Sequence, residues 1–426
     1  MNSVRGWRNA TFVAFAIMGV AVSTLLARLP AVRDHLDIDA GAVGTLLAGF
    51  ATGSLIGLAC SAPLLTRFGP VAMSRRTVPI AGGMLVAVGA AASVLEQYWV
   101  TVAFLALFGA TLSLSDVAIN VVGAANERAL RKTVMPLFHA GFSIGSVLGA
   151  GAAAAAEAID IPVWAHLAVG GALVIGVGLV AIRWFPSTFP DAPTTPPDRD
   201  ERRNVWRDPR TYLVGLLVLG FGYAEGSATD WLPIALVDDR GLDHATAALL
   251  LTVFMVAMTT MRLAGGPLVD RLGRVPVLLG AATVAVVGLA SVIFIPDPVA
   301  TVVGVVLWGL GSALGFPLGM SAAADDPATA TARVSAVATV GYFAFLVGPV
   351  LVGFVGEQVR ILSALTIVLG LLVLAGAVSP AARERRTAPT VLRNAFLDPS
   401  LPTLPIEVIG DERDESAASR QEDPSP

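Results

Sequence analysis

The sequence predicts an all-α membrane protein of twelve transmembrane helices in two six-helix bundles, with both termini cytoplasmic. Three observations carry that expectation. First, 55% of the 426 residues are hydrophobic and only 14% charged, with a mean hydropathy of +0.74; soluble globular chains are about one-quarter charged. Second, mostly apolar stretches close to the roughly 20 residues that a spanning helix needs recur along the chain. Third, the sequence repeats: Pro63-Leu64-x-x-Arg67-x-Gly69 returns as Pro267-Leu268-x-x-Arg271-x-Gly273, and Leu29-Pro30 as Leu232-Pro233. The offsets are 267 − 63 = 204 and 233 − 30 = 203 residues. Two halves related in this way, around an axis along the membrane normal, are the plan of rocking transporters, and a channel or single-bundle enzyme has no need of it.

In the first half the spans are expected at 10–30, 43–65, 77–95, 99–124, 134–156 and 163–185, which makes residues 1–185 an N-terminal bundle. Arg5 and Arg8 precede the first span as in a signal peptide, but it is longer than a signal core and ends at Arg28-Leu29-Pro30 without a small-residue cleavage site. Residues 186–210 hold Pro186, Pro190, Pro193, Pro196 and Pro197, then a charged run from Asp198 to Arg203, and read as a cytoplasmic linker with no core of its own. The second half places spans at 211–236, 245–266, 276–295, 299–322, 334–356 and 360–379, a C-terminal bundle over 211–379. From 380 to 426 the chain turns polar and reads as a disordered cytoplasmic tail, in which Leu404–Ile409 is a candidate docking segment. Basic residues set the orientation. One set of alternate loops carries Arg67, Arg75, Arg76, Arg128, Arg131, Lys132, Arg199, Arg202, Arg203, Arg207, Arg271 and Arg274, and the other only Arg33, Arg240 and Arg360; the rich set faces the cytoplasm.

Composition also excludes functions. A net charge of −4 without a basic stripe gives no footprint for nucleic acid. One cysteine, Cys60, and four scattered histidines build neither a disulfide framework nor a metal cluster, so no metal or cofactor is expected. No phosphate loop occurs, and the one lysine is Lys132. What remains is gradient-driven transport rather than enzyme chemistry.

The run Gly266-Pro267-Leu268-Val269-Asp270-Arg271-Leu272-Gly273-Arg274 matches the pattern Gly-x-x-x-Asp-Arg-x-Gly-Arg, and on it the chain resembles the major facilitator superfamily over residues 8–379. The first copy, Ala62 to Pro70, has Thr66 in place of the acid. Asp116-x-x-x-Asn120, Phe138-His139-Ala140-Gly141, Glu225-Gly226-x-x-x-Asp230-Trp231 and Arg262-Leu263-x-Gly265-Gly266 look most like bacterial permeases near the fucose:proton symporters. The resemblance implies the major facilitator fold, a pathway lined by spans one, four, seven and ten, and a loop of Gly266, Asp270, Arg271, Gly273 and Arg274 that orders the cytoplasmic side. Drug/proton antiporters of the superfamily carry a Gly-Pro motif in span five. Here span five has Gly141, Gly145, Gly149 and Gly151 without proline, and Gly348-Pro349 falls in span eleven.

Ionisable side chains inside a bilayer cost at least about 2.5–3.5 kcal/mol each, so each is a functional candidate. Glu225, near the middle of span seven, is the first candidate for proton coupling, against a structural hydrogen bond. Asp116 and Asn120, four apart, share a helix face and are candidates for binding solute or sharing the proton, against helix-to-helix bonding. The resemblance implies that the outer tips of spans one and seven meet when the transporter faces inward, so Arg28 and Asp230 make a candidate outer gate that forms in that state and breaks in the other; Arg28 snorkelling and Asp230 joining Glu225 are the alternatives. His139 and Arg262, on spans five and eight, are candidates for an inner gate, with interhelical bonding and an Arg262–Asp270 or other acidic pair as the alternatives. Trp231, Tyr223 and Phe221 are candidates to stack on a ring. Gly49, Gly53 and Gly57, and Gly141, Gly145 and Gly149, form small-residue ridges, suited to sliding contacts between the halves or to static packing.

The function expected is a monomeric, multi-pass permease of the cytoplasmic membrane that couples protons to a small polar solute, a sugar or sugar-like metabolite. A proton-driven efflux antiporter for drugs or metabolites is the alternative, and a non-transporting sensor or scaffold the second.

Overall fold

The computed structural model describes residues 4–38, 40–187, 189 and 205–384. Most of the expected linker and the tail from 385, with Leu404–Ile409, lie outside the described residues. Among the described residues every regular element is helical.

The first half comprises α1 (Val4–Ala27), α2 (Leu29–Leu36), α3 (Ala40–Phe68), α4 (Pro70–Ser93), α5 (Tyr98–Leu130), α6 (Met135–Ala158) and α7 (Val163–Ile182). A 3₁₀ turn, Val205–Arg207, then leads into α8 (Pro209–Arg240), α9 (His244–Leu272), α10 (Arg274–Phe294), α11 (Pro298–Ser312), α12 (Gly315–Ala323), α13 (Ala330–Gln358), α14 (Ile361–Ala364) and α15 (Thr366–Val378). Ten stretches among these residues are long and apolar enough to cross a membrane. The two other expected spans fall in α8 and α13, helices of 32 and 29 residues.

Local chemistry sets the boundaries. Asp208, Asp243 and Asp297 start α8, α9 and α11 by accepting hydrogen bonds from the backbone N–H groups of Arg210, Thr246 and Ala300, the N-cap arrangement. Gly69 and Gly273 join α3 to α4 and α9 to α10 at φ, ψ of 80°, 153° and 85°, 158°. Only glycine adopts that backbone readily, so the sequence repeat is also a repeat of backbone geometry. The expected tenth span is broken: α11 ends at Ser312, Ala313 and Leu314 form a turn, and α12 resumes at Gly315. Pro317 is one cause, since it has no N–H for the carbonyl four residues back, that of Ala313.

The two halves pair their helices alike. In the first, α1 packs on α6, α3 on α5 and α4 on α7; in the second, α8 packs on α13, α9 on α11 and α10 on α15. The halves meet through α3 and α5 against α13, and α6 against α9 and α12, within one compact unit that extends to Glu384.

The glycine ridges pack inside the first half rather than between halves. A Cβ on Gly53 would lie 1.8 Å from the Ala106 carbonyl oxygen of α5, and one on Gly145 1.9 Å from that of Ala16 in α1. These ridges let neighbouring backbones touch, which corrects the sliding-contact expectation in favour of static packing.

Two ends of the bundle are defined by their bonds. At the terminal end, where α1 begins, Asn126 Nδ2 donates to the Val4 carbonyl. There Arg210 and Arg274 close on Asp325 and on the chain after α15. That polar stretch is therefore docked as far as Arg383, a few residues into the expected tail. At the far end, Arg28 binds Glu157 and the Ile161 carbonyl, and Arg240 donates to the carbonyls of Val292 and Ile293.

Candidate functional site

Two polar clusters lie at mid-depth. Glu225 is about 24 Å along α8 from Pro209, and Asp116 about 21 Å along α5 from Leu130, both near the helix middles at 1.5 Å per residue. Arg262, about 15 Å from the terminal end of α9 by the same rise, is buried and donates from Nη2 to Glu225 Oε2 at 2.7 Å. Its Nη1 donates to Ser143 Oγ of α6 at 2.6 Å, and its Nε to the Ala313 carbonyl at 3.2 Å. The arginine side chain is only 4% exposed and the glutamate 22%, so the carboxylate is the more accessible partner.

Asp116 belongs to the second cluster. Asn120 Nδ2 donates to Asp116 Oδ1 at 3.1 Å and to the Asp116 carbonyl at 2.9 Å, which is what a spacing of four on one helix face provides. Tyr342 of α13, in the other half, donates its hydroxyl to Asp116 Oδ2 at 3.2 Å. No ion pair is formed by Asp116 among the described residues, and the buried Asn120 Oδ1 has no hydrogen-bond partner there.

His139 lies towards the terminal end, packed between Phe15 of α1 and Phe316 of α12 at ring-centroid distances of 5.0 and 5.5 Å. Its buried Nε2 has no hydrogen-bond partner among the described residues.

Several expectations are corrected by these contacts. Arg28 turns into its own half, towards Glu157 and the Ile161 carbonyl, while Asp230 is exposed. In this conformation the two make no gate, and Arg28, 3% exposed, does not snorkel. Of the two acidic partners expected for Arg262, it takes the one on a neighbouring helix, Glu225, and not Asp270. Tyr223 is buried, with its hydroxyl on the Gly348 carbonyl at 3.0 Å. Phe221 is fully buried beneath Gly315, where a Cβ would lie 1.9 Å from its ring. Neither ring is available to a solute; Trp231 is partly exposed.

The signature loop ties the halves together at the terminal end. Asp270 Oδ1 accepts the Thr133 N–H at 2.9 Å, and Gly266 lies so close beneath that a Cβ would sit 2.4 Å from the Thr133 carbonyl oxygen. Arg274 binds both oxygens of Asp325 and the Ser321 hydroxyl, while Arg271 is exposed. In the degraded first copy, Thr66 bonds back to the Ala62 carbonyl of its own helix and reaches nothing across the interface.

Reading the sequence for intramembrane charge missed further members of this network. Glu127 accepts hydrogen bonds from the first amides of α6, Val134 and Met135, and from Ser321 of the other half. Arg128 donates to the Ala324 carbonyl at 2.6 Å, and Ser61 meets Ser335. Glu127, Arg128 and Asp325 lie at helix ends, where charge is ordinary; Tyr342, Ser143 and Ser61 carry none. Only the repeat, which flags the ends of spans four and ten as equivalent, could have pointed to them.

Two pseudo-equivalent helical halves, polar groups at mid-depth and a bonded closure at one end define a membrane transporter of the two-bundle kind. The sequence profile described as Major Facilitator Superfamily matches residues 11–349 and 231–409, and the chain belongs to that family. An uncharacterized MFS-type transporter of Yersinia pestis is 28% identical over 363 residues, covering 85% of this chain and 91% of that one. An uncharacterized transporter of Sinorhizobium fredii is 32% identical over 354 residues, covering 82% and 91%. The fold is similar to that of the E. coli fucose:proton symporter FucP, with a TM-score of 0.76 at 14% identity, covering 89% of this chain and 98% of that one. A second structure of FucP, described as in the outward conformation, gives 0.75 at 14% identity and covers 89% and 99%.

Proposed function

We propose that the protein is a twelve-span, proton-coupled alternating-access transporter of the cytoplasmic membrane, with cytoplasmic termini, that takes a small donor-rich polar solute. Its spans form two six-helix bundles, and this conformation is the one open to the far, outer side. The hydrogen bonds joining the halves at Ser61–Ser335, Glu127–Ser321, Arg128–Ala324 and Thr133–Asp270 lie at the terminal end, which supports that assignment. The observation that carries the reading is the mid-depth site made by both halves, in which one acid is paired with an arginine and the other with no cation among the described residues.

That asymmetry divides the roles. Glu225 is paired with Arg262, so taking up a proton there would break a largely buried ion pair. Asp116 has only neutral donors, Tyr342 and Asn120, so a proton there removes a charge and breaks no ion pair. Asp116 is therefore the proton carrier, and Glu225 a solute ligand. Arg262, Tyr342 and Asn120 donate within the protein, while the second oxygen of Glu225, on a partly exposed side chain, remains as an acceptor. A solute rich in O–H groups, such as a sugar, complements that surplus; a carboxylate or phosphate does not.

Thermal stabilisation of the purified protein by a panel of neutral sugars, organic acids and lipophilic cations tests the reading, since a ligand of the folded state raises the melting temperature. Stabilisation by neutral sugars, weakened in Glu225→Gln, is the expected result. Stabilisation by lipophilic cations alone would replace this reading with the efflux antiporter, and by organic acids alone would refute the donor accounting.

A further inference from the structure

Span ten is broken where a carbonyl has lost its helical partner. Pro317, the third residue of α12, offers no N–H to the Ala313 carbonyl, and Gly315 admits the Phe221 ring where any side chain would collide. The Ala313 carbonyl is not left bare, because Arg262 Nε donates to it from α9 at 3.2 Å. The same guanidinium holds Glu225 through Nη2 and reaches the other half through Nη1, at Ser143 Oγ. One buried side chain thus touches the carboxylate at the site, the break in span ten and the opposite bundle.

We propose that Arg262 is a positioning residue that transmits the state of Glu225 to the break in span ten and, through it, to the closure of the terminal end. The planar fork fixes three bonding directions at once. While Glu225 is free and charged, its bond aims Nε at Ala313 and Nη1 at Ser143, and α12 is held bent against α6. When a solute draws the Glu225 carboxylate towards its own donors, the guanidinium loses its hold on Oε2, and the bonds to Ala313 and Ser143 loosen together. Phe316, next to the break, also packs on His139 of α6, so movement of α12 bears directly on the contact between halves. The inference rests on the alternating-access part of the proposed function, and not on the identity of the solute or the coupling ion.

The test uses a Cys60→Ser chain carrying Ser61→Cys and Ser335→Cys, reconstituted in liposomes, with the rate of oxidant-driven disulfide formation reporting closure of the terminal end. Glu225→Gln stands in for an engaged Glu225 and is expected to slow cross-linking about fivefold or more, the lower range of coupling between sites. Pro317→Ala restores an N–H for Ala313 and removes the dependence of α12 on Arg262. In that background the slowing by Glu225→Gln should shrink to under about twofold, a non-additive cycle. Arg262→Lys keeps the charge and loses the fork, and should slow cross-linking with Glu225 intact. A normal native rate left unchanged by Glu225→Gln or Arg262→Lys, or effects of Glu225→Gln and Pro317→Ala that simply multiply, would overturn this inference alone. Failure to cross-link in every background would instead overturn the closed terminal end on which both proposals stand.

Discussion

Asp325 offers a sharp test of how the terminal end is held. Its carboxylate lies between Arg210, whose Nη2 donates at 2.6 Å, and Arg274, whose Nη1 donates at 3.0 and 3.2 Å to the two oxygens. All three side chains are nearly buried, at 8% exposure for each arginine and 10% for the aspartate. Removing one partner of a buried ion pair costs about 3–5 kcal/mol, because the remaining charge is stranded. Both arginines keep other acceptors, the carbonyls of Ala381, Ala382 and Arg383 and the Ser321 hydroxyl, which argues for the lower part of that range. At about 2.1 cal/mol/K of unfolding entropy per residue, a chain of 426 residues shifts by about 1 °C per kcal/mol, so about 3 kcal/mol corresponds to a fall of about 3 °C in Tm for Asp325→Asn. Thermal unfolding of the detergent-purified protein measures it. Arg33→Ala is the control: Arg33 and its partner Asp34 are 49% and 64% exposed, and an exposed pair contributes about 1 kcal/mol at most. An Asp325→Asn protein that melts within about 1 °C of the native one, no further than the control, would refute the reasoning.

Other predictions follow from the same contacts. Gly266→Ala should disfavour closure of the terminal end, because its Cβ would meet the Thr133 carbonyl of the opposite half, and should slow Ser61→Cys/Ser335→Cys cross-linking while the fold survives. Gly53→Ala, whose Cβ would meet α5 of its own half, should instead cost about 1–3 kcal/mol of stability by overpacking, seen as a lower Tm. Tyr342→Phe removes the hydrogen bond that the second half gives Asp116, and solute-driven proton uptake into proteoliposomes should fall.

Much of this architecture was legible in the sequence for identifiable reasons. Apolar runs of bilayer length mark membrane spans because backbone polar groups must be satisfied within each helix. The repeated Gly69 and Gly273 are legible because their backbone geometry admits little else. The Asp116–Asn120 bond follows from a spacing of four. Partnerships across the fold were not legible. Nothing local to Arg262 tells whether Asp270, eight residues along α9, or Glu225 on another helix will pair with it; packing of α8 against α9 decides. Pseudo-symmetry places Arg28 and Asp230 at equivalent heights without saying which way Arg28 turns, and in this conformation Glu157 offers it a carboxylate within its own half. The break in span ten was legible in principle, since Pro317 lies within the apolar run, but its partner could only be found in three dimensions.

The central claim is that Asp116 carries the proton while the Glu225–Arg262 cluster holds the solute, and solute-driven acidification of proteoliposomes tests it most directly. With a pH-sensitive dye inside, the native protein should acidify the lumen on addition of the sugar that stabilises it, and Asp116→Asn should abolish the acidification while still exchanging labelled sugar across the membrane. Acidification that persists undiminished in Asp116→Asn would contradict the account.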